Sequence, residues 1–133
     1  MSHNPTLRLG LIGDHIADSV APRFHQFAGA QTGLQVDYTL LVPCVLQQSF
    51  EQVFQQAGAD GYRGLNITYP YKERVVPLVR VTHRHAMLGA VNTVIFEPDG
   101  PVGYNTDYSG FLRAYRHADG HAEPGHVCLV GAG

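Results

Sequence analysis

Cysteine is scarce: only Cys44 and Cys128 occur in 133 residues, far apart and outside any C-x-x-C pattern. That excludes a disulfide-rich scaffold and a cysteine zinc site. Charge is scarce too. Charged residues make up 15%, nine basic against eleven acidic, for a net charge of −2. No basic footprint for nucleic acid and no acidic tail result. No uninterrupted apolar run approaches the ~18 residues of a membrane span. The first five residues lack the basic-then-apolar order of a signal peptide. A soluble protein in a reducing, cytoplasmic setting is expected, with no nucleic-acid and no membrane partner. Internal repeats are absent, as are the H-E-x-x-H zinc pattern and the G-x-S-x-G nucleophile elbow. His117 and His121 stand four apart but across Gly120, and His83 and His85 flank Arg84 with no cysteine nearby. No metal site is expected.

What is present is 44% hydrophobic residue, enough for a packed core in a chain the size of one domain. Short apolar runs alternate with amphipathic ones. Residues 7–12, 36–42, 64–68, 91–96, 102–104 and 126–130 read as strands. Residues 22–31 read as a helix with Phe24, Phe27 and Ala28 on one face. Leu46, Phe50, Val53, Phe54 and Ala57 mark a second, amphipathic helix with Gly58 as its stop. Pro70 suits the first turn of a third helix, and residues 107–117 form a fourth. The stretch 97–101 reads as a hairpin turn, and His25 as structural. This alternation predicts an α/β fold: a three-layer open sheet, mostly parallel, with helices on both faces. The strand at 126–130 runs into Gly131-Ala132-Gly133, the opening of a G-x-G-x-x-G/A dinucleotide fingerprint, without its third glycine, helix or acidic residue.

Four polar clusters stand at the expected strand ends and turns. They are Ser19-Val20-Ala21-Pro22, Asn66-Ile67-Thr68-Tyr69-Pro70-Tyr71-Lys72, Gly89-Ala90-Val91-Asn92-Thr93 and Gly103-Tyr104-Asn105-Thr106-Asp107. Ligands of open α/β sheets bind outside the carboxyl ends of the strands. Hydroxyls and amides that both donate and accept, with one lysine and one aspartate, suit a small polyhydroxylated acid. Taken alone, Lys72 also reads as a solvated lysine. Asp107 also reads as a carboxylate favoured by a helix N-terminus, and Asn66, Thr68 and Asn92 as groups satisfying nearby backbone.

In this order the clusters resemble the shikimate and quinate dehydrogenase family, over nearly the whole chain. The resemblance implies that residues 1–118 are the substrate-binding catalytic domain. It implies that residues 119–133 are a linker and the first strand of a truncated Rossmann-type NAD(P)-binding domain. Gly131, Ala132 and Gly133 would then contact an NADP or NAD cofactor. The implied reaction interconverts 3-dehydroshikimate and shikimate in aromatic amino acid biosynthesis. Quinate in quinate catabolism is the alternative substrate, and a non-catalytic sensor of a shikimate-like ligand is a further alternative. Lys72 and Asp107 match the catalytic residues, with Lys72 exchanging the proton of the reacting hydroxyl. Thr68 and Asn92 match substrate-binding residues, and Ser19 the first hydroxyl of an S-x-S-P carboxylate clamp. Ala21 stands at the clamp's second hydroxyl. It either loses a hydrogen bond to the ligand or leaves room for quinate's extra hydroxyl. Tyr71, where the family has an aromatic residue, reads as packing. A chain of this extent alone is not expected to turn over, and a homodimer is left open.

Overall fold

The computed structural model describes residues 6–82, 86–120 and 123–131. Strand β1 (Thr6–Ile12) ends in Gly10, Leu11 and Ile12, buried on both faces, which suits a central position between parallel neighbours. It pairs in parallel with β2 (Gln35–Leu41) on one side and with β3 (Gly64–Ile67) on the other. Beyond β3 lie β5 (Thr93–Glu97), β6 (Gly100–Tyr104) and the two-residue edge strand β4 (Arg80–Val81), giving the order β2-β1-β3-β5-β6-β4. Strand β5 runs antiparallel to β3 and β6, and β4 runs parallel to β6. Three of the five pairings are therefore parallel, and the expected turn at 97–101 tightens to Pro98-Asp99 between β5 and β6.

Side-chain alternation sorts the core onto both faces of the sheet. On one face Ile12, Leu65 and Ile67 meet Phe50, Val53, Phe54 and Ala57 of helix α3 (Phe50–Ala59), with Tyr71, Val75, Val91 and Val94. Ile12, Phe50, Ile67, Val75, Val91 and Val94 are almost wholly buried. Each such side chain contributes about 1.5–3 kcal/mol relative to exposure. On the other face Leu11 and Tyr38 meet helix α1 (Ala21–Gln31), so helices cover both faces as expected.

Several local expectations are corrected. The apolar run from Leu46 is two helices, α2 (Pro43–Leu46) and α3, because Gln47 takes φ +54° and breaks the first. Ser49 then starts α3 with a capping box: its side chain accepts from the Gln52 N–H while the Gln52 side chain accepts from the Ser49 N–H. Gly58 lies inside α3, where an added Cβ would stand 3.0 Å from the Phe96 ring. The chain reverses instead at Gly61, whose φ of +79° favours glycine. No α-helix follows Pro70. Pro77 lacks the N–H to continue one, so the segment closes as a 3-10 turn at Val76–Leu78. Phe24 and Phe27 of α1 are exposed. The helix meets β2 through Gly29, packed on Val36, and through His25, stacked on Tyr38 with ring centroids 4.6 Å apart. The run 126–130 forms no strand and pairs with none of the described strands. The last helix, α4, spans Thr106–Asp119. Ala132, Gly133, His83, His85 and His121 lie outside the described residues.

Candidate active site

Strands β1 and β3 end side by side, and their exit loops are tied together. Thr68 N–H donates to Ile12 O at 2.9 Å and Asp14 N–H to Tyr69 O at 3.3 Å, while Gly13 N–H donates to Leu41 O at the end of β2 at 3.4 Å. Gly13 is required at this crossing, because a Cβ there would lie 2.4 Å from Thr68 Cγ2 and 2.8 Å from Ile16 Cγ2. Two clefts open over these strand ends. A cavity of about 690 Å³ is lined by Asp14, His15, Asp18, Ser19 and Thr68 among others. A second of about 510 Å³ holds Lys72, and Thr68 and Tyr69 line both.

Lys72 sits on the turn after β3. Tyr71 N–H donates to Thr68 O at 2.9 Å, and Val91 N–H to Lys72 O at 2.8 Å, which fixes the backbone on either side. Its Nζ lies 2.7 Å from Asp107 Oδ2, an ion pair across 35 positions of sequence. Asp107 is in the first turn of α4, where the helix dipole favours a carboxylate. Asn105 caps that helix by accepting from the Tyr108 N–H at 2.9 Å, and its Nδ2 donates to Ala90 O at 3.0 Å.

Asn92 is 8% exposed, and both ends of its amide are hydrogen-bonded. Oδ1 accepts from the Thr106 N–H at 2.8 Å and from Thr93 Oγ1 at 3.0 Å, while Nδ2 donates to Thr106 Oγ1 at 2.8 Å. The side chain thus holds the start of α4 and lines neither cleft. Asn66 accepts from Tyr38 Oη at 2.7 Å on the α1 face, a side-chain partner in place of the nearby backbone expected. Ser19 Oγ accepts from the Ala21 N–H at 3.2 Å, so its own proton is left to donate into the cleft. Ala21 stands half-buried at the start of α1.

Sequence reasoning missed Asp14, whose Oδ1 accepts from Tyr71 Oη at 2.6 Å, and the cleft-lining His15 and Asp18. No spacing or composition signal marks these three. It also missed Thr106 and Thr93, which sit inside the motifs already noted and could have been read as partners of Asn92. Burial, with the Asp14 carboxylate adding to it, pushes the Tyr71 phenol up to about 12. Burial likewise pushes Tyr38 up to about 12. It lowers His25, against a smaller opposing effect of its hydrogen bond with Asn66.

The described residues do not build a dinucleotide site. Gly131, at φ +82°, ends the stretch 123–131, which contains neither strand nor helix to aim backbone N–H groups at a phosphate. Among the described residues no group of three His, Cys, Asp or Glu side chains could hold a metal ion. No described helix is long and apolar enough to cross a membrane.

Residues 11–94 match the family model of the shikimate dehydrogenase substrate binding domain. The chain is 39% identical over 124 residues to a shikimate dehydrogenase (NADP(+)) of Natronomonas pharaonis, covering 93% of this chain and 46% of that protein. It is 39% identical over 138 residues to a quinate/shikimate dehydrogenase (NAD(+)) of Corynebacterium efficiens, covering 100% of this chain and 48% of that one. Among solved structures, a quinate dehydrogenase from Corynebacterium glutamicum in complex with NAD superposes with a TM-score of 0.80 at 35% identity. The match covers 89% of this chain and 44% of that one. The chain thus spans about half the length of the relatives it matches. In sequence and in fold it belongs to the shikimate dehydrogenase substrate-binding domain family.

Proposed function

We propose that this chain is the substrate-binding half of an NAD(P)-dependent dehydrogenase that interconverts 3-dehydroshikimate and shikimate. The observation that carries the reading is the Lys72–Asp107 pair, 2.7 Å apart, with Lys72 facing a cleft that shares Thr68 with the Ser19 cleft. Ser19 donates to the ligand carboxylate and Thr68 orients the ring. Lys72 Nζ hands a proton to the ligand oxygen in the reducing direction and takes it back in the other. Asp107 keeps the ammonium aimed and accepts from the reacting hydroxyl, and Asn92 hydrogen-bonds the ligand while holding the start of α4. The hydride acceptor is a nicotinamide, for which the described residues supply no site. Residues 1–118 form the substrate unit. Residues 119–133 are read as a linker and the beginning of a cofactor domain on the Gly131-Ala132-Gly133 pattern alone. The partners in this reading are small molecules.

Ala21 favours a second reading, with quinate as the substrate. A methyl where the family's clamp has a hydroxyl forgoes one donor to the carboxylate and leaves space beside the carbon that bears it. Titrating the chain separately with shikimate and quinate, followed by NMR, tests both. Saturable shifts at Ser19, Thr68 and Lys72 are expected, and the tighter ligand selects between the readings. A folded chain that gives no saturable shift with either acid overturns both.

A further inference from the structure

We propose that Tyr71 and Asp14 form a positioning latch, which fixes the Ser19 loop against the Lys72 turn so that both face one ligand. The proposal rests on the reading of the site given above. Asp14 lies five positions before Ser19 on the loop after β1, and Tyr71 immediately precedes Lys72 on the turn after β3. The two loops are joined twice at this one residue. The Asp14 N–H donates to Tyr69 O at 3.3 Å, and its carboxylate accepts from Tyr71 Oη at 2.6 Å. An O–H to carboxylate bond of that length is of the strong, charge-assisted kind.

The Tyr71 ring is held without any help from its hydroxyl. It is 6% exposed and stacks on Phe50 of α3, with centroids 4.6 Å apart and planes 10° from parallel. The Arg74 guanidinium lies 5.5 Å from its centroid and 5.7 Å from that of Phe50. Arg74 Nη2 in turn donates to both carboxylate oxygens of Glu51, at 2.8 and 3.0 Å. A phenylalanine would fill the same space in this stack. What the hydroxyl adds is the one bond that leaves the core and reaches the cleft, since Asp14 lines the larger cavity with Ser19 and Thr68. With its phenol pushed up to about 12, Tyr71 stays a donor throughout the neutral range. Asp14 and Tyr71 are therefore positioning residues, acting through the separation of Ser19 and Lys72.

The test uses the full chain and the variants Tyr71→Phe, Asp14→Ala and Asp14→Asn. The first readout needs no ligand. Amide hydrogen exchange by NMR should speed up at least tenfold at Asp14 and Ser19 in Tyr71→Phe and Asp14→Ala, while Phe54 in α3 exchanges as before. Asp14→Asn keeps an acceptor and should stay close to the parent. The second readout is the shikimate titration, in which the same two variants should lose about tenfold in affinity and Asp14→Asn less than threefold. Unchanged loop exchange in Tyr71→Phe overturns the latch, and so does an Asp14→Asn chain that behaves like Asp14→Ala. Faster exchange with unchanged affinity overturns the positioning role. If the parent chain binds neither shikimate nor quinate, the functional reading fails, and the exchange data still decide whether the latch exists.

Discussion

Truncating the buried Asn92 to alanine should unsettle the start of α4. No residue of the helix is fully buried, and polar contacts at its N-terminus help hold it to the body. Asn92 supplies three of them, at 2.8 Å to the Thr106 N–H and at 2.8 and 3.1 Å to Thr106 Oγ1, and it also accepts from Thr93 Oγ1 at 3.0 Å. A typical intramolecular hydrogen bond contributes about 0.5–1.5 kcal/mol net, so the cluster as a whole would reach several kcal/mol. Thr106 is exposed, and water replaces part of what is lost there. The expected cost of Asn92→Ala is therefore about 2–3 kcal/mol, or on the order of 10 °C in Tm for a domain of this size. Urea unfolding followed by circular dichroism measures it. Thr106→Val, which removes the hydroxyl and keeps the backbone N–H bond, should cost about 1 kcal/mol. A loss below about 0.5 kcal/mol for Asn92→Ala would refute the reasoning, because the N-terminus of α4 would then be held by something other than this amide.

Lys72→Met should leave stability within about 1 kcal/mol, since the pair with Asp107 is largely exposed, at 37% and 64%. The same change should weaken shikimate binding about tenfold in the NMR titration, the loss of one charge-assisted bond to the ligand. Gly13→Ala should destabilise by about 1–3 kcal/mol in urea, because its Cβ would meet Thr68 and Ile16 at 2.4 and 2.8 Å where two loops cross. An unchanged midpoint would show that the crossing yields freely. Phenolate absorbance should show Tyr38 and Tyr71 ionising near 12 in the folded chain, out of seven tyrosines in all. Between about 10 and 12 the unfolded chain has lost those protons and the folded chain has kept them, so stability falls as pH rises through that window. Stability that is flat across it would contradict the burial of both phenols.

Legibility from sequence followed the range over which each feature is decided. Strands that bury a face against a neighbour carry their period in the chain, and β1 and β2 lie where the apolar spacing put them; α1 and α4 also lie where expected, although Phe24, Phe27 and Phe111 of their apolar sides are exposed. Features decided by a single backbone angle or a missing N–H were misplaced. The apolar steps from Leu46 to Ala57 run straight through Gln47, although the Ser49–Gln52 capping box beside it was there to be read. Pro70 invited a helix that Pro77 prevents. Gly58 looked like a terminus because a glycine in a helix leaves the same mark whether it ends the helix or makes room for a ring such as Phe96. An apolar run like 126–130 has the composition of a strand, but a strand exists only where another offers it a ladder.

The candidate site divides in the same way. Ser19, Thr68, Lys72 and Asp107 could be picked out because each lies in a compact motif at a strand or helix end. What those residues do there depends on contacts the motifs do not contain. Lys72 reaches Asp107 only because the β5–β6 hairpin returns the chain to the end of β3 before α4 begins. The same return places Thr106 beside Asn92, so that a residue picked out by its motif also holds the start of a helix. Asp14 finds a partner 57 positions away, and only the parallel pairing of β1 with β3 makes the two neighbours. In the proposed reading, groups that meet the ligand are thus concentrated in short motifs, while groups that aim them are dispersed along the chain and joined by topology. A substitution outside every motif, such as Asp14→Ala, is therefore expected to reach the ligand as surely as one within them.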